Sequence, residues 1–209
     1  YSYPRFTWQT VIPDQRRISK IDLSDDYLQA IRLYASCADE LKSSELYRND
    51  LIEFVSYYVA AKAENFYKQA LKDDSENRVL AAQRNLQQTV DLLMDVDRLL
   101  ASHPLYRLEE WVELARNSGT TLQEKDAYEA NAKRLITSWG GIQEDYAARF
   151  WSGLIKDYYI PRIQLYFTKD RNKIREWEEQ WITSPWSNST TPFDDPVKAA
   201  LSLIEKTNK

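Results

Sequence analysis

The chain has 209 residues, 43% apolar and 29% charged, a balance that predicts a folded, water-soluble protein and excludes a disordered or membrane-spanning class. Its 28 basic and 32 acidic residues leave a net charge of -4 with no basic block, so neither nucleic acid nor an anionic membrane is expected as a partner. One cysteine, Cys37, and one histidine, His103, exclude an internal disulfide and a zinc site of the usual ligands, and no loop has calcium-binding spacing. No metal and no cofactor are expected.

With four glycines and few β-branched runs, the chain lacks the turn punctuation that strands require. Residues 1–23 read as an irregular lead-in, and the start at Tyr1 with no charged-then-apolar leader reads as a mature product or an excised domain. Ser24 before Asp25 and Asp26 predicts a capped helix running to about Ser43. Cys37 is expected on it as a small apolar residue. Leu51, Phe54, Val55, Tyr58 and Ala61 line one face of a second helix, ending near Leu71 at the Lys72-Asp73-Asp74 turn. Ser75 caps a third, whose stripe runs from Val79 through Leu86, Leu93 and Val96 to Leu100.

After Pro104 comes a shorter segment with Leu108, Trp111, Val112 and Leu114, ended by Asn117-Ser118-Gly119. Thr121 and Glu124 form a capping box for a helix reaching about Trp139. Later helices are expected over about 172–183 and, after a Ser184–Pro192 loop, from Asp195-Pro196 with proline at the first position. The expectation is an all-α fold: a bundle of about seven antiparallel helices forming a single domain over 1–209.

Little here could perform catalysis. His103 lies in Ser102-His103-Pro104 at a helix end and reads as a surface or capping residue. The pairs Glu109-Glu110, Glu178-Glu179 and Asp194-Asp195 are adjacent, diverge by about 100° on a helix, and read as solvated faces and caps. Asn188-Ser189-Thr190 is a sequon that also reads as a polar loop. The departure from ordinary composition is aromatic: 13%, with seven tryptophans, among which Trp177 and Trp181 have core spacing at i and i+4.

One stretch concentrates unusual residues: from Trp139-Gly140-Gly141 through Asp145-Tyr146 and Trp151-Ser152-Gly153-Leu154 to Asp157-Tyr158-Tyr159-Ile160-Pro161-Arg162. The double glycine predicts a tight turn, with Asp145 starting a new helix. Ala147, Trp151, Leu154, Tyr158 and Leu165 would be its buried stripe, and Tyr146, Phe150, Gly153 and Asp157 a second row. Gly153 would then sit inside a helix, at a cost of about 1 kcal/mol, and Pro161 would kink it. A tryptophan beside the junction is free to face a cleft.

This stretch resembles the signature of the C-terminal helical domain of the α-N-acetylglucosaminidase family, glycoside hydrolases that include the lysosomal enzyme of heparan sulfate breakdown. Tyr47-Arg48-Asn49-Asp50-Leu51 and Met94-Asp95-Val96-Asp97-Arg98-Leu99-Leu100-Ala101 extend the resemblance upstream. Ser56-Tyr57 stands where the pattern has Arg-Gln, and the turn after Trp139 is shorter than in the lysosomal relative. The resemblance implies an exo-acting, retaining enzyme whose two glutamates lie in a (β/α)8-type barrel, so that this chain alone would be inactive. It implies a helical domain that packs on that barrel and closes the pocket for a terminal α-linked N-acetylglucosamine. The substrate-binding candidates are Trp139, Ile142 and Tyr146; none is catalytic. Arg162 is expected to tie down carbonyls or a carboxylate. The family's substrates imply an exported protein, periplasmic, extracellular or lysosome-like. The alternative is a free-standing helical module that binds a protein partner.

Overall fold

A computed structural model describes residues 6–10, 25–139, 145–187 and 190–207. Among these, nine α-helices form and no strand does, apart from one isolated bridge between Arg107 and Ser152. The all-α expectation is met. The chain divides into two compact units, one of Tyr1–Ser19 with Arg107–Ser189, the other of Lys20–Tyr106 with Thr190–Lys209.

The second unit is organised by α3 (Glu45–Ser75), against which α1 (Asp25–Ala35), α4 (Val79–Leu100) and α9 (Pro196–Lys206) pack. Leu51, Ile52, Val55, Tyr58, Val59 and Ala63 are buried on more than one side of α3, so its apolar residues surround the helix rather than forming a stripe. The predicted first helix is broken: α1 stops at Ala35, Ser36 and Cys37 turn, and α2 covers only Ala38–Leu41. Cys37 is exposed in that turn, not an apolar helical residue.

Helix α3 runs past the expected stop. It ends in a Schellman turn, with Asn77 at φ 60° and the Arg78 and Asn77 amides donating to the carbonyls of Asp73 and Asp74 at 2.8 and 3.1 Å. The Asp73 carboxylate, which accepts from Gln69, Arg78 and Asn85, is held below its ordinary pKa chiefly by the Arg78 hydrogen bond. Ser75 is therefore the last residue of α3, and Arg78 precedes α4. His103, in the turn after α4, is buried rather than at the surface, and its Nδ1 accepts from the Leu105 amide at 3.1 Å. Thr190, the last residue of the sequon, donates to buried Asp97; the other two lie outside the described residues.

The first unit holds α5 (Leu108–Asn117), α6 (Leu122–Leu135), α7 (Ile160–Tyr166) and α8 (Arg171–Thr183). The capping box forms as expected: the Glu124 amide donates to the Thr121 hydroxyl at 3.2 Å, and the Glu124 carboxylate accepts from the Thr121 amide at 3.0 Å. The Thr120 hydroxyl, followed by the Thr121 and Thr120 amides, donates to this carboxylate and holds Glu124 at a pKa of about 2. Part of the expected lead-in belongs to the core. Thr7–Gln9 form a short helical turn, and Trp8 is buried with Phe6 stacked on it at 5.1 Å and Tyr159 edge-on at 5.5 Å.

The largest departure from expectation is the stretch before Pro161. Asp145 does not start a helix; it is a turn residue at φ 60°, and residues 148–151 carry no helical structure. Gly153 lies outside any helix, at φ +82°, where an L side chain is disfavoured. A Cβ there would stand 3.2 Å from both Leu108 Cβ and Trp186 Cζ2, so the glycine is required by conformation and by close approach. The backbone around it is satisfied from elsewhere, the Ser152 carbonyl accepting from the Leu108 amide at 3.0 Å. Residues Ile155–Tyr159 then form a π-helical turn, with the Ile160 amide donating to the Ile155 carbonyl, and α7 follows with Pro161 in its first turn. The anticipated kink is a widened turn ahead of the proline.

Candidate functional site

Helix α6 ends at Leu135, and the turn beyond it places Trp139 at φ 53° with its amide donating to the Arg134 carbonyl at 2.8 Å. At the far side of the junction the Asp145 amide donates to the Thr137 carbonyl at 2.9 Å. Both flanks of the 140–144 segment are thus left-handed non-glycine residues, each costing roughly 1–2 kcal/mol against a relaxed backbone. Such strain persists only where surrounding contacts determine the conformation.

Those contacts centre on Arg162, which is fully buried. Its Nη1 donates to Asp145 Oδ1 at 2.7 Å, to Glu178 Oε1 at 3.0 Å and to the Tyr158 hydroxyl at 3.1 Å; Nη2 donates to the Gln9 carbonyl at 2.5 Å. Tyr158 in turn donates to Glu178 at 2.8 Å. Although desolvation opposes the charged form, the Asp145 and Glu178 carboxylates and Tyr158 hold the guanidinium's pKa well above its ordinary value. Burial pushes the Tyr158 hydroxyl up, so it stays protonated as a donor. The expectation that Arg162 ties down carbonyls or a carboxylate is met. Glu178, in contrast, is no solvated residue. Its position was readable from Ile174 and Ile182, four residues to either side on α8 and both buried.

What this framework holds is an aromatic pair. The rings of Trp139 and Tyr146 lie 5.5 Å apart at 58°, with Trp139 half-buried and Tyr146 48% exposed. Ile142 lies outside the described residues. An indole face offers dispersion contact to C–H groups, and an exposed phenol both donates and accepts a hydrogen bond. Among the described residues, the carboxylate beside the pair, Asp145, is fully buried against Arg162 and is not free to act as a general acid, base or nucleophile. The arrangement can bind and orient.

Fold and junction define an all-helical domain with an aromatic pair at the end of one helix. The chain belongs to the family described as Alpha-N-acetylglucosaminidase (NAGLU) C-terminal domain, whose profile matches residues 4–206. It is 31% identical over 144 residues to the alpha-N-acetylglucosaminidase of Homo sapiens, an alignment covering 68% of this chain and 19% of that protein. A family 89 glycoside hydrolase from Clostridium perfringens, solved in complex with PUGNAc, shares the fold with a TM-score of 0.77 at 22% identity, over 90% of this chain and 24% of the other. A doubly substituted Clostridium perfringens family 89 enzyme, in complex with its substrate GlcNAc-alpha-1,4-galactose, aligns at a TM-score of 0.76 and 21% identity. The chain therefore spans about a fifth to a quarter of the length of these relatives.

Proposed function

We propose that residues 1–209 act as the C-terminal helical domain of a longer, exo-acting, retaining α-N-acetylglucosaminidase. The domain packs on the catalytic barrel and closes one side of the pocket for a terminal α-linked N-acetylglucosamine. The observation that carries this reading is the Trp139–Tyr146 pair, half-exposed at a junction that Arg162 and Asp145 hold in a strained conformation. Strain of this kind, maintained by a buried ion-pair network, has a reason where a loop must keep one shape for a ligand.

In this role Trp139 stacks on the C–H face or the acetamido methyl of the sugar. Tyr146 hydrogen-bonds a sugar hydroxyl, and Ile142 adds an apolar wall. Retaining hydrolysis needs two carboxyl groups about 5 Å apart across the scissile bond; this chain supplies neither, and the barrel does. The isolated chain is inactive. Among the described residues no helix is long and apolar enough to cross a membrane, and the proposed glycan substrate favours an exported or lysosome-like setting. The test is hydrolysis of an aryl α-N-acetylglucosaminide by the full-length parent and by this chain alone. Turnover by the parent and none by the chain is expected; an inactive parent overturns the assignment.

A further inference from the structure

The first unit contains a second concave feature that shares no residue with the Trp139–Tyr146 pair. A cleft of about 390 Å³ opens between the π-helical turn, the second half of α8 and the loop that follows it. Its aromatic lining is Trp177, Trp181 and Trp186, and Asp157, Lys156 and Gln180 are among its polar groups. The volume falls within the range of about 300–1,000 Å³ in which small-molecule sites occur.

Each tryptophan is fixed from behind and half-exposed in front. Trp177 and Trp181, one turn apart on α8, both rest on buried Tyr158, with centroid distances of 5.6 and 4.8 Å. Trp186 is held at three points: its amide donates to Glu129 at 2.5 Å, its indole N–H donates to Asp157 at 3.3 Å, and its ring lies against Gly153. That third contact is the packing that forbids a side chain at Gly153. Lys133 closes the floor, its ammonium donating to the Trp181 and Ser184 carbonyls and pairing with buried Glu129 at 3.1 Å. The aromatic walls are therefore preorganised.

Charge narrows the ligand class. Lys133 is matched by Glu129, and Lys156 lies 3.8 Å from Asp157, so the cleft has no net charge to attract a phosphate or sulfate. A quaternary ammonium guest, which an indole cage would otherwise suit, likewise finds no net negative charge there. What remains is an uncharged molecule with an apolar face and a hydroxylated edge. The Asp157 carboxylate accepts hydrogen bonds, the Gln180 amide does both, and Ser184 and Ser187 at the rim also do both.

We infer that the Trp177–Trp181–Trp186 cleft is a carbohydrate site that takes one pyranose ring of a glycan, stacked on indole and hydrogen-bonded by Gln180 and Asp157. The inference does not depend on the role proposed for Trp139. The test is fluorine NMR of the full-length parent labelled with fluorotryptophan, the cleft resonances being assigned by Trp177→Phe, Trp181→Phe and Trp186→Phe. The probes are N-acetylglucosamine and galactose, with choline chloride as the cationic control.

Saturable shifts of the three cleft resonances by at least one sugar, with half-saturation on the order of millimolar, are expected. Gln180→Ala, a rim substitution that leaves the fold intact, should weaken binding by about fivefold through loss of one hydrogen bond. No saturable shift at the three tryptophans up to about 100 mM of either sugar overturns the inference, as does a response to choline alone. A sugar response at the Trp139 resonance without one in the cleft also overturns it, while leaving the proposed function in place.

Discussion

Replacing Arg162 by methionine would remove the cation and keep most of the side-chain volume. Asp145 and Glu178 would stay behind, fully buried and nearly so, with the Gln9 carbonyl and the Tyr158 hydroxyl each losing a donor. Removing one partner of a buried ion pair costs about 3–5 kcal/mol because the other charge is left uncompensated. Two carboxylates share this arginine, so the upper part of that range is expected. For a chain of this size the corresponding fall in melting temperature is roughly 6–20 °C. The sign of the pH dependence follows. A buried carboxylate without a partner takes up a proton at higher pH than a solvated one, so the deficit is largest near neutrality and shrinks on acidification. Adding Asp145→Asn to the variant should restore part of the loss. Urea unfolding followed by circular dichroism at about pH 5 and about pH 7.5 measures both effects. A loss below about 1 kcal/mol, or one that is the same at both pH values, refutes the claim that this network holds the junction.

Gly153→Ala should cost about 1–2 kcal/mol for the left-handed backbone and about 1–3 more for the clash with Leu108 and Trp186; urea unfolding tests it, and a neutral substitution would contradict the described packing. Burial lowers the pKa of His103 below the ordinary 6.5, against the opposing pull of Glu53 and Asp50. Its contribution is fully present above the unfolded value and lost as pH falls through the lowered folded one. His103→Gln should therefore flatten the decline in stability below about pH 6.5, and an unchanged slope would show that other groups cause it.

Features encoded within a few residues were legible in the sequence. Thr121 with Glu124 and Asp195 before Pro196 contain their own caps and form as read, and the stripe read from Val79 is buried at Ala82, Leu93, Val96 and Leu100, although Val79 itself is exposed and Ser75 does not cap the helix. The stretch from Asp145 to Pro161 was not legible because its backbone is satisfied over long range. The Leu108 amide bonds to the Ser152 carbonyl across more than forty residues, Arg162 reaches back to Asp145, and an apolar spacing of four imitates a helix that does not form. The same holds for the site. Trp139 and Tyr146 could be named from the family resemblance, with Trp139 also marked by the glycine pair after it, but the row joining Tyr146 to Phe150, Gly153 and Asp157 assumed helical geometry. Asp157 and Gly153 instead support Trp186, from a loop that local pattern marks only as polar. Glu178 lies on the buried Ile174–Ile182 face of its helix, a spacing of four that was legible, whereas its neighbour Glu179 is exposed and paired with Arg134.

The central claim, that this domain supplies a wall of the sugar pocket, is tested most directly by steady-state hydrolysis of an aryl α-N-acetylglucosaminide by the full-length parent carrying Trp139→Ala. Trp139 is half-buried and its ring meets the exposed Tyr146, so unfolding of the variant is measured alongside to separate loss of binding from loss of stability. A fall of about tenfold or more in kcat/KM with unfolding unchanged is the predicted result, equivalent to about 1.4 kcal/mol of lost transition-state binding. An active parent whose kcat/KM is unaltered by the substitution would contradict it and remove Trp139 from the pocket.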